Sequence, residues 1–262
     1  LPSEMLAFVT ENTGLAALSR VGGDLETLKG LIAAGFPVLV EKGFWVSAEK
    51  GWMGHYTLLT GYDDAIQAFV SQDSYEGPQF SRPYDALYEN WRAFDYLFIV
   101  IYPPERAAEV MTALGPLADE TRAAQTTAAR AQAEIPASQG EQAAFSWFNL
   151  GTSLNLLGDY AGAAAAFDQA RLTGLPWRML WYQTGPYRAY YQTARYQDVI
   201  DLASGTLASM DNLEESYYWR GLAFQAQGRT DSAVADWKKS VEYNPNFGPG
   251  AYQLELLGIT PR

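Results

Sequence analysis

The chain of 262 residues exceeds the length of one typical domain, and its 48% hydrophobic against 18% charged residues describe a globular protein rather than a disordered one. Thirty acidic residues against 18 basic ones leave a net charge of −12, which opposes phosphate backbones and anionic membranes and sets nucleic acid aside as a partner. Cysteine is absent, which excludes disulfides, thiolate metal sites and a cysteine nucleophile within these residues, and no apolar run approaches the roughly 18 residues of a membrane span.

The N-terminus, LPSEMLAF, lacks the basic and apolar regions of a signal peptide. Ser3 predicts the cap of a helix over residues 4–11, and Asp24 the cap of a second over 25–34 that ends at Gly35. Short β-type runs follow as far as Tyr102: FPVLVEKGF, HYTLLTGYDD, AIQAFVSQD and YLFIVIYPP. They predict strands of roughly five to seven residues, joined by tight turns such as Gly61-Tyr62-Asp63-Asp64. Pro103-Pro104 closes this region, and from Glu105 the pattern is helical and alanine-rich, with helices expected at about 105–114 and 117–134. Gly22-Gly23-Asp24 is too short to cradle a phosphate and reads as a helix entry, while Asp119-Glu120 and Glu214-Glu215 stand at helix starts and complement the dipole.

An internal repeat occupies residues 144–247. Trp147, Leu150, Gly151 and Leu154, then Ala163, Phe167 and Pro176, follow the pattern in which small residues bring two antiparallel helices together. Tyr160 recurs as Tyr196, and Ala163, Val199 and Ala233 stand in register, with Gly221, Phe224, Trp237 and Pro245 marking a third copy. The pattern resembles tetratricopeptide repeats, which implies a stacked array closed by a helix over 247–258 and a groove for peptides lined by the first helix of each pair. Carried over by position, that groove would present Phe148, Thr152 and Asn155, then Thr184, Arg188 and Tyr191, then Tyr218, Leu222 and Gln225. Trp177, Trp181, Tyr182, Tyr187, Tyr190 and Tyr191 add a dense run of rings, read first as packing and second as a binding platform.

The one histidine of the chain, His55, follows Gly54 at the start of a predicted strand, and the next strand delivers Asp73. If the two pair as an antiparallel hairpin, those ends lie side by side, and the carboxylate can accept the imidazole N–H, fix its tautomer and raise its basicity. GHYTLLTGYDD followed by VSQDSYEGPQ resembles the second half of papain-like cysteine peptidases of the double-glycine leader-peptidase type. DLETLKGLIAAGFPVLVE is similar to the helix and first strand of that family, and YDALYENWRAFDYLFIVIYPP to its closing strand. The resemblance implies His55 as general base and Asp73 as the carboxylate that orients it. It also implies a catalytic cysteine and an oxyanion-hole glutamine ahead of these elements, either on a segment preceding Leu1 or lost altogether.

The expected architecture is α+β: a partial papain-like antiparallel sheet domain over 1–104, a helical connector or leading helix pair over 105–143, and an all-α tetratricopeptide array over 144–262. The expected function is a protein-interaction or assembly protein whose peptidase-like domain lacks its nucleophile. The alternative is the C-terminal part of an active cysteine peptidase, with His55 as base and Asp73 as orienter. Peptide contacts are expected at Asn155, Arg188, Tyr191, Tyr218 and Gln225, with no cofactor and no metal; Asp63, Asp64 and Asp73 match no calcium-loop spacing. An apolar face near Leu6, Val9 and Leu28 is expected to be uncovered, to be met by a protein or peptide, an N-terminal segment of the same precursor, or further copies of the chain. An acidic, aromatic-rich chain without cysteine suits an extracellular setting, and the family resemblance implies a bacterial surface or secreted protein.

Overall fold

The computed structural model describes residues 2–261. The N-terminal part runs α1 (Pro2–Asn12), β1 (Ala16–Arg20), α2 (Leu25–Ala33), β2 (Val38–Ser47), β3 (Gly51–Asp63), β4 (Ala68–Asp73), β5 (Gly77–Pro83), α3 (Tyr84–Trp91), β6 (Phe98–Tyr102) and α4 (Ala107–Leu114). The six strands form one antiparallel sheet in the order β1-β6-β2-β3-β4-β5. Asp24 caps α2 as its sequence predicts, accepting the Thr27 N–H at 2.7 Å.

Three expectations need correction. β2 and β3 are 10 and 13 residues long, well beyond the five to seven expected. Gly61–Asp63 continues β3, paired with Ala68–Val70, and the turn falls at residues 64–67. Leu28 is fully buried rather than uncovered: with Leu31 it joins Val38, Val40, Leu59, Phe98, Val100 and, from α4, Val110 and Leu114 in one core cluster. The proline pair thus ends the sheet without ending the packing unit, because α4 folds back onto it.

The next helices, α5 (Glu120–Glu134) and α6 (Gly140–Leu156), belong to the same compact unit, which covers residues 1–157 and 168–176. Trp52 alternates to the opposite side of β3 from Met53, stacks on Phe94 at 5.7 Å and lies 6.0 Å from Phe145 of α6. Gly43, its neighbour on β2, leaves the space this indole fills, since a Cβ there would come within 2.3 Å of the ring. From α6, Asn149 donates to the Arg92 carbonyl at 2.8 Å and Ser153 to the Asp95 carboxyl at 3.2 Å.

Helix α7 (Tyr160–Thr173) is followed by α8 (Met179–Tyr182), α9 (Gly185–Gln192), α10 (Tyr196–Ser209), α11 (Glu214–Ala226), α12 (Thr230–Tyr243) and α13 (Gly248–Leu256). Residues 158–167 and 177–262 form a second compact unit. The repeat positions read from the sequence are its interior: Ala163, Val199 and Ala233 are each fully buried, as is Phe167, with Trp237 at 1% exposure. Tyr187 lies inside as well, its hydroxyl bonded to Thr206 at 3.0 Å and to Ser216 at 3.1 Å.

Gly221 on α11 admits the Trp237 indole of α12, because a Cβ at that position would sit 2.6 Å from Nε1. Gly221→Ala is therefore expected to overpack this helix pair and cost about 1–3 kcal/mol in urea unfolding. An alanine variant as stable as the parent would show that the close approach carries no weight.

Candidate functional site

The core face of the sheet turns polar toward one end. Along β2 and β3 the facing pairs on that side are Val38 with Leu59, Val40 with Thr57, Lys42 with His55 and Phe44 with Met53. On the far side of β3, Ser71 of β4 stands opposite Leu59, and from the end of β4 the Asp73 carboxylate reaches the His55 ring. Period-two alternation thus carries an apolar stripe into a charged one without any break in the strands.

His55 Nε2 and Asp73 Oδ1 are 2.8 Å apart. The same oxygen accepts the Tyr75 N–H at 2.8 Å and the Glu76 N–H at 3.0 Å, so the turn leaving β4 is folded around the carboxylate. Its other oxygen faces two cations, Lys42 Nζ at 3.7 Å and Arg82 Nη2 at 3.4 Å. Both cations also meet the Glu76 carboxylate, Lys42 at 3.2 Å and Arg82 in closer contact. Side-chain exposure is 0% for Asp73, 2% for Lys42, 5% for Arg82, 18% for His55 and 26% for Glu76, so the imidazole and the Glu76 carboxylate are the parts of the cluster that reach solvent.

Burial pushes the Asp73 pKa upward, but the Tyr75 N–H and His55 outweigh it and hold the carboxyl below its ordinary value. Burial, reinforced by the neighbouring Arg82 charge and only partly offset by Asp73, lowers Lys42 to about 8. An ionised Asp73 has no proton to give, so the 2.8 Å contact assigns a hydrogen to His55 Nε2, and in the neutral ring the lone pair then lies on Nδ1. The ring is flanked edge-on by Phe44 at 5.9 Å and by Tyr75 at 6.4 Å, and Tyr75 is itself 61% exposed. Such a dyad can accept a proton from a donor placed against Nδ1. It cannot form a thioester, because none of the 262 residues is cysteine.

The structure thus brings together the two residues singled out from the sequence and adds three that it did not reveal: Lys42, Glu76 and Arg82. A signal for Lys42 was present, since it alternates in phase with Val38 and Val40 and must share their face. Arg82 lies on β5, where Pro78 and Pro83 disguise the strand. Asp63 and Asp64 do not join Asp73: Asp63 accepts the Ala65 N–H at 2.8 Å, and Asp64 binds Lys29 at 3.2 Å and the Tyr84 hydroxyl at 2.9 Å.

In the second unit, Tyr191 of α9 and Tyr218 of α11 both contact the Trp219 ring, at 5.9 and 5.4 Å, and Tyr218 also meets Phe247 at 5.7 Å. Trp219 was not among the residues read from the sequence. Arg188 donates to the Tyr160 hydroxyl at 3.0 Å, and Gln225 is exposed. Asn155 is buried in α6 of the first unit, as is Phe148, which has no exposed surface and presents nothing to a groove. The aromatic run divides, with Tyr187 and Tyr190 inside and Trp177 55% exposed, edge-on to Trp181 at 5.0 Å.

Residues 9–98 match the profile of the peptidase C39-like family, and residues 214–247 that of the tetratricopeptide repeat. The chain carries a peptidase C39-like domain joined to tetratricopeptide-type helices. The expected fold class is borne out on both counts, a six-stranded antiparallel sheet with helices followed by paired helices. A solved structure of a MamA RS-1 ArsTM double mutant is similar over 52% of this chain and 74% of that one, at 14% identity and a TM-score of 0.45. No curated protein matches the chain. Among the described residues no helix is long and apolar enough to cross a membrane.

A carboxyl whose folded pKa is depressed stabilises the fold above its unfolded value, about 3.9, and that contribution is lost as pH falls through the lower folded value. Asp73→Asn is therefore expected to flatten the loss of stability below about pH 4. At pH 7 it should cost roughly 3 kcal/mol, because it leaves buried cations short of an anion. Urea unfolding at pH 7 and pH 3 checks this, and parallel pH profiles for the two proteins would refute it.

Proposed function

We propose that this chain is a protein-binding protein in which the peptidase C39-like domain recognises without cutting and the helical repeats hold an extended peptide. The observation that carries the reading is a base and its orienting carboxylate set at 2.8 Å in a sequence without cysteine. His55 then serves as a hydrogen-bond acceptor. In the repeats, the rings of Tyr191, Tyr218 and Trp219 offer the flat, amphipathic surface that peptide recognition favours, with Arg188 and Gln225 as polar neighbours.

A second reading rests on the open Nδ1 of His55. A cysteine-bearing segment supplied by another polypeptide, or by sequence ahead of these residues, would make His55 its base and Asp73 the orienter of a cysteine peptidase.

Selection from a displayed random peptide library separates the two. The chain is expected to enrich peptides that it leaves intact, and Tyr191→Ala with Tyr218→Ala should weaken the best of them about thirtyfold, the ~2 kcal/mol of an aromatic hot spot. Failure to enrich any peptide, or binding untouched by the double variant, would remove the repeat surface from the proposal. Peptide hydrolysis that appears on adding a cysteine-bearing segment and vanishes in His55→Ala would establish the second reading instead.

A further inference from the structure

Lys42, Glu76 and Arg82 arrive from three different elements: Lys42 from the middle of β2, Glu76 from the turn after β4, and Arg82 from the end of β5. None of the three touches the face of the imidazole that reaches solvent. All of them converge on Asp73 or on one another, with Lys42 and Arg82 each shared between the Asp73 Oδ2 and the Glu76 Oε2. The sharing leaves Asp73 Oδ1 to His55 and to two backbone N–H groups.

We propose that Lys42, Glu76 and Arg82 are positioning residues that hold the Asp73 carboxylate in one orientation, and through it hold His55 with its proton on Nε2 and its lone pair on Nδ1. Glu76 is the balancing member. By engaging both cations it stops them from closing fully on Asp73 and drawing its charge away from the imidazole. Without Glu76, two cations compete with His55 for one carboxylate; without the cations, Asp73 Oδ2 loses both of its ion-pair partners. The lowered pKa of Lys42 agrees with a cation whose burial is only partly repaid by its anions. The network is independent of what meets Nδ1, and its chemical consequence is general: the site presents a fixed acceptor to a proton donor such as a thiol, a hydroxyl or an amide N–H.

Having a single histidine makes the test direct, because every imidazole signal in a 15N-labelled sample belongs to His55. The intact protein is expected to show one downfield imidazole N–H resonance, assigned to Nε2 by its long-range couplings and lost in Asp73→Asn. Glu76→Gln, at a side chain 26% exposed, and Lys42→Met, which leaves Arg82 between the two carboxylates, are both expected to fold. In each, that N–H should exchange with water about tenfold faster while the backbone amide spectrum away from the site stays unchanged. Arg82→Lys should keep the slow exchange that Arg82→Gln loses. Unchanged imidazole exchange in both Glu76→Gln and Lys42→Met would overturn the proposal and reduce the cluster to a packing device, as would a resonance assigned to Nδ1 in the parent. The measurement needs neither a peptide ligand nor turnover, so its outcome stands apart from that of the library selection.

Discussion

A carboxylate with no exposed surface can stay ionised only if donors surround it, and at Asp73 they come from β2, β3, β5 and the backbone of its own turn. That requirement organises one end of the sheet. β4 must stop at Asp73 so that the Tyr75 and Glu76 N–H groups can turn back to Oδ1. β5 must leave in a register that returns Arg82, and β2 and β3 must pair so that Lys42 and His55 face each other. The irregularity between Ser71 and Asp73 in the β4–β5 pairing lies at this point, where the ladder yields to the carboxylate.

The hairpin that brings His55 to Asp73 was legible in the sequence because two successive β runs joined by a short turn pair antiparallel, although the turn falls at residues 64–67 and not at Gly61-Tyr62-Asp63-Asp64. The helical repeats were legible for a similar reason, since Ala163, Val199 and Ala233 are small where two helices touch and their spacing repeats. What escaped was whatever depends on an element too short or too interrupted to announce itself. β1 is only five residues, AALSR, with a serine and an arginine among them, and β5 begins and ends with a proline close by. Without β5 there was no means of bringing Arg82 to Asp73. The uncovered face expected around Leu28 came from reading half of the sheet-and-helix sandwich as absent, whereas Leu28 lies in one core with Val38, Val40 and Leu59 of the sheet and with Val110 and Leu114 of α4.

The repeat pattern misleads at one place for a physical reason. Position-by-position transfer gives Asn155 and Tyr191 the same role, yet Asn155 is buried in α6 while Tyr191 is half-buried among other rings. Helix α6 has a second obligation. Its Phe145 lies near Trp52, and Asn149 and Ser153 bond to Arg92 and Asp95, so residues of the repeat pattern are spent on closing the back of the sheet. A helix that serves a sheet cannot offer the same side chains to a peptide, and the aromatic surface begins only where that obligation ends, at α9 and α11.

Stability alone gives no account of the charged cluster. Burying Lys42, Arg82 and Asp73 incurs desolvation that their mutual attraction only partly returns, and apolar side chains of similar volume, continuing the stripe begun by Val38, Val40 and Leu59, would serve the fold as well or better. The charges are intelligible once the imidazole is counted with them. A histidine at the edge of an apolar face, without an anion behind it, would be free to rotate and to carry its proton on either nitrogen. With Asp73 behind it and two cations and Glu76 around Asp73, Nε2 is committed as donor, and in the neutral ring Nδ1 is left as the acceptor of an imidazole flanked by Phe44 and Tyr75. That is the arrangement a base requires, and it is equally the arrangement of a selective hydrogen-bond acceptor. The difference between the two lies in the group that approaches Nδ1, and none of these 262 residues is a cysteine that could be that group.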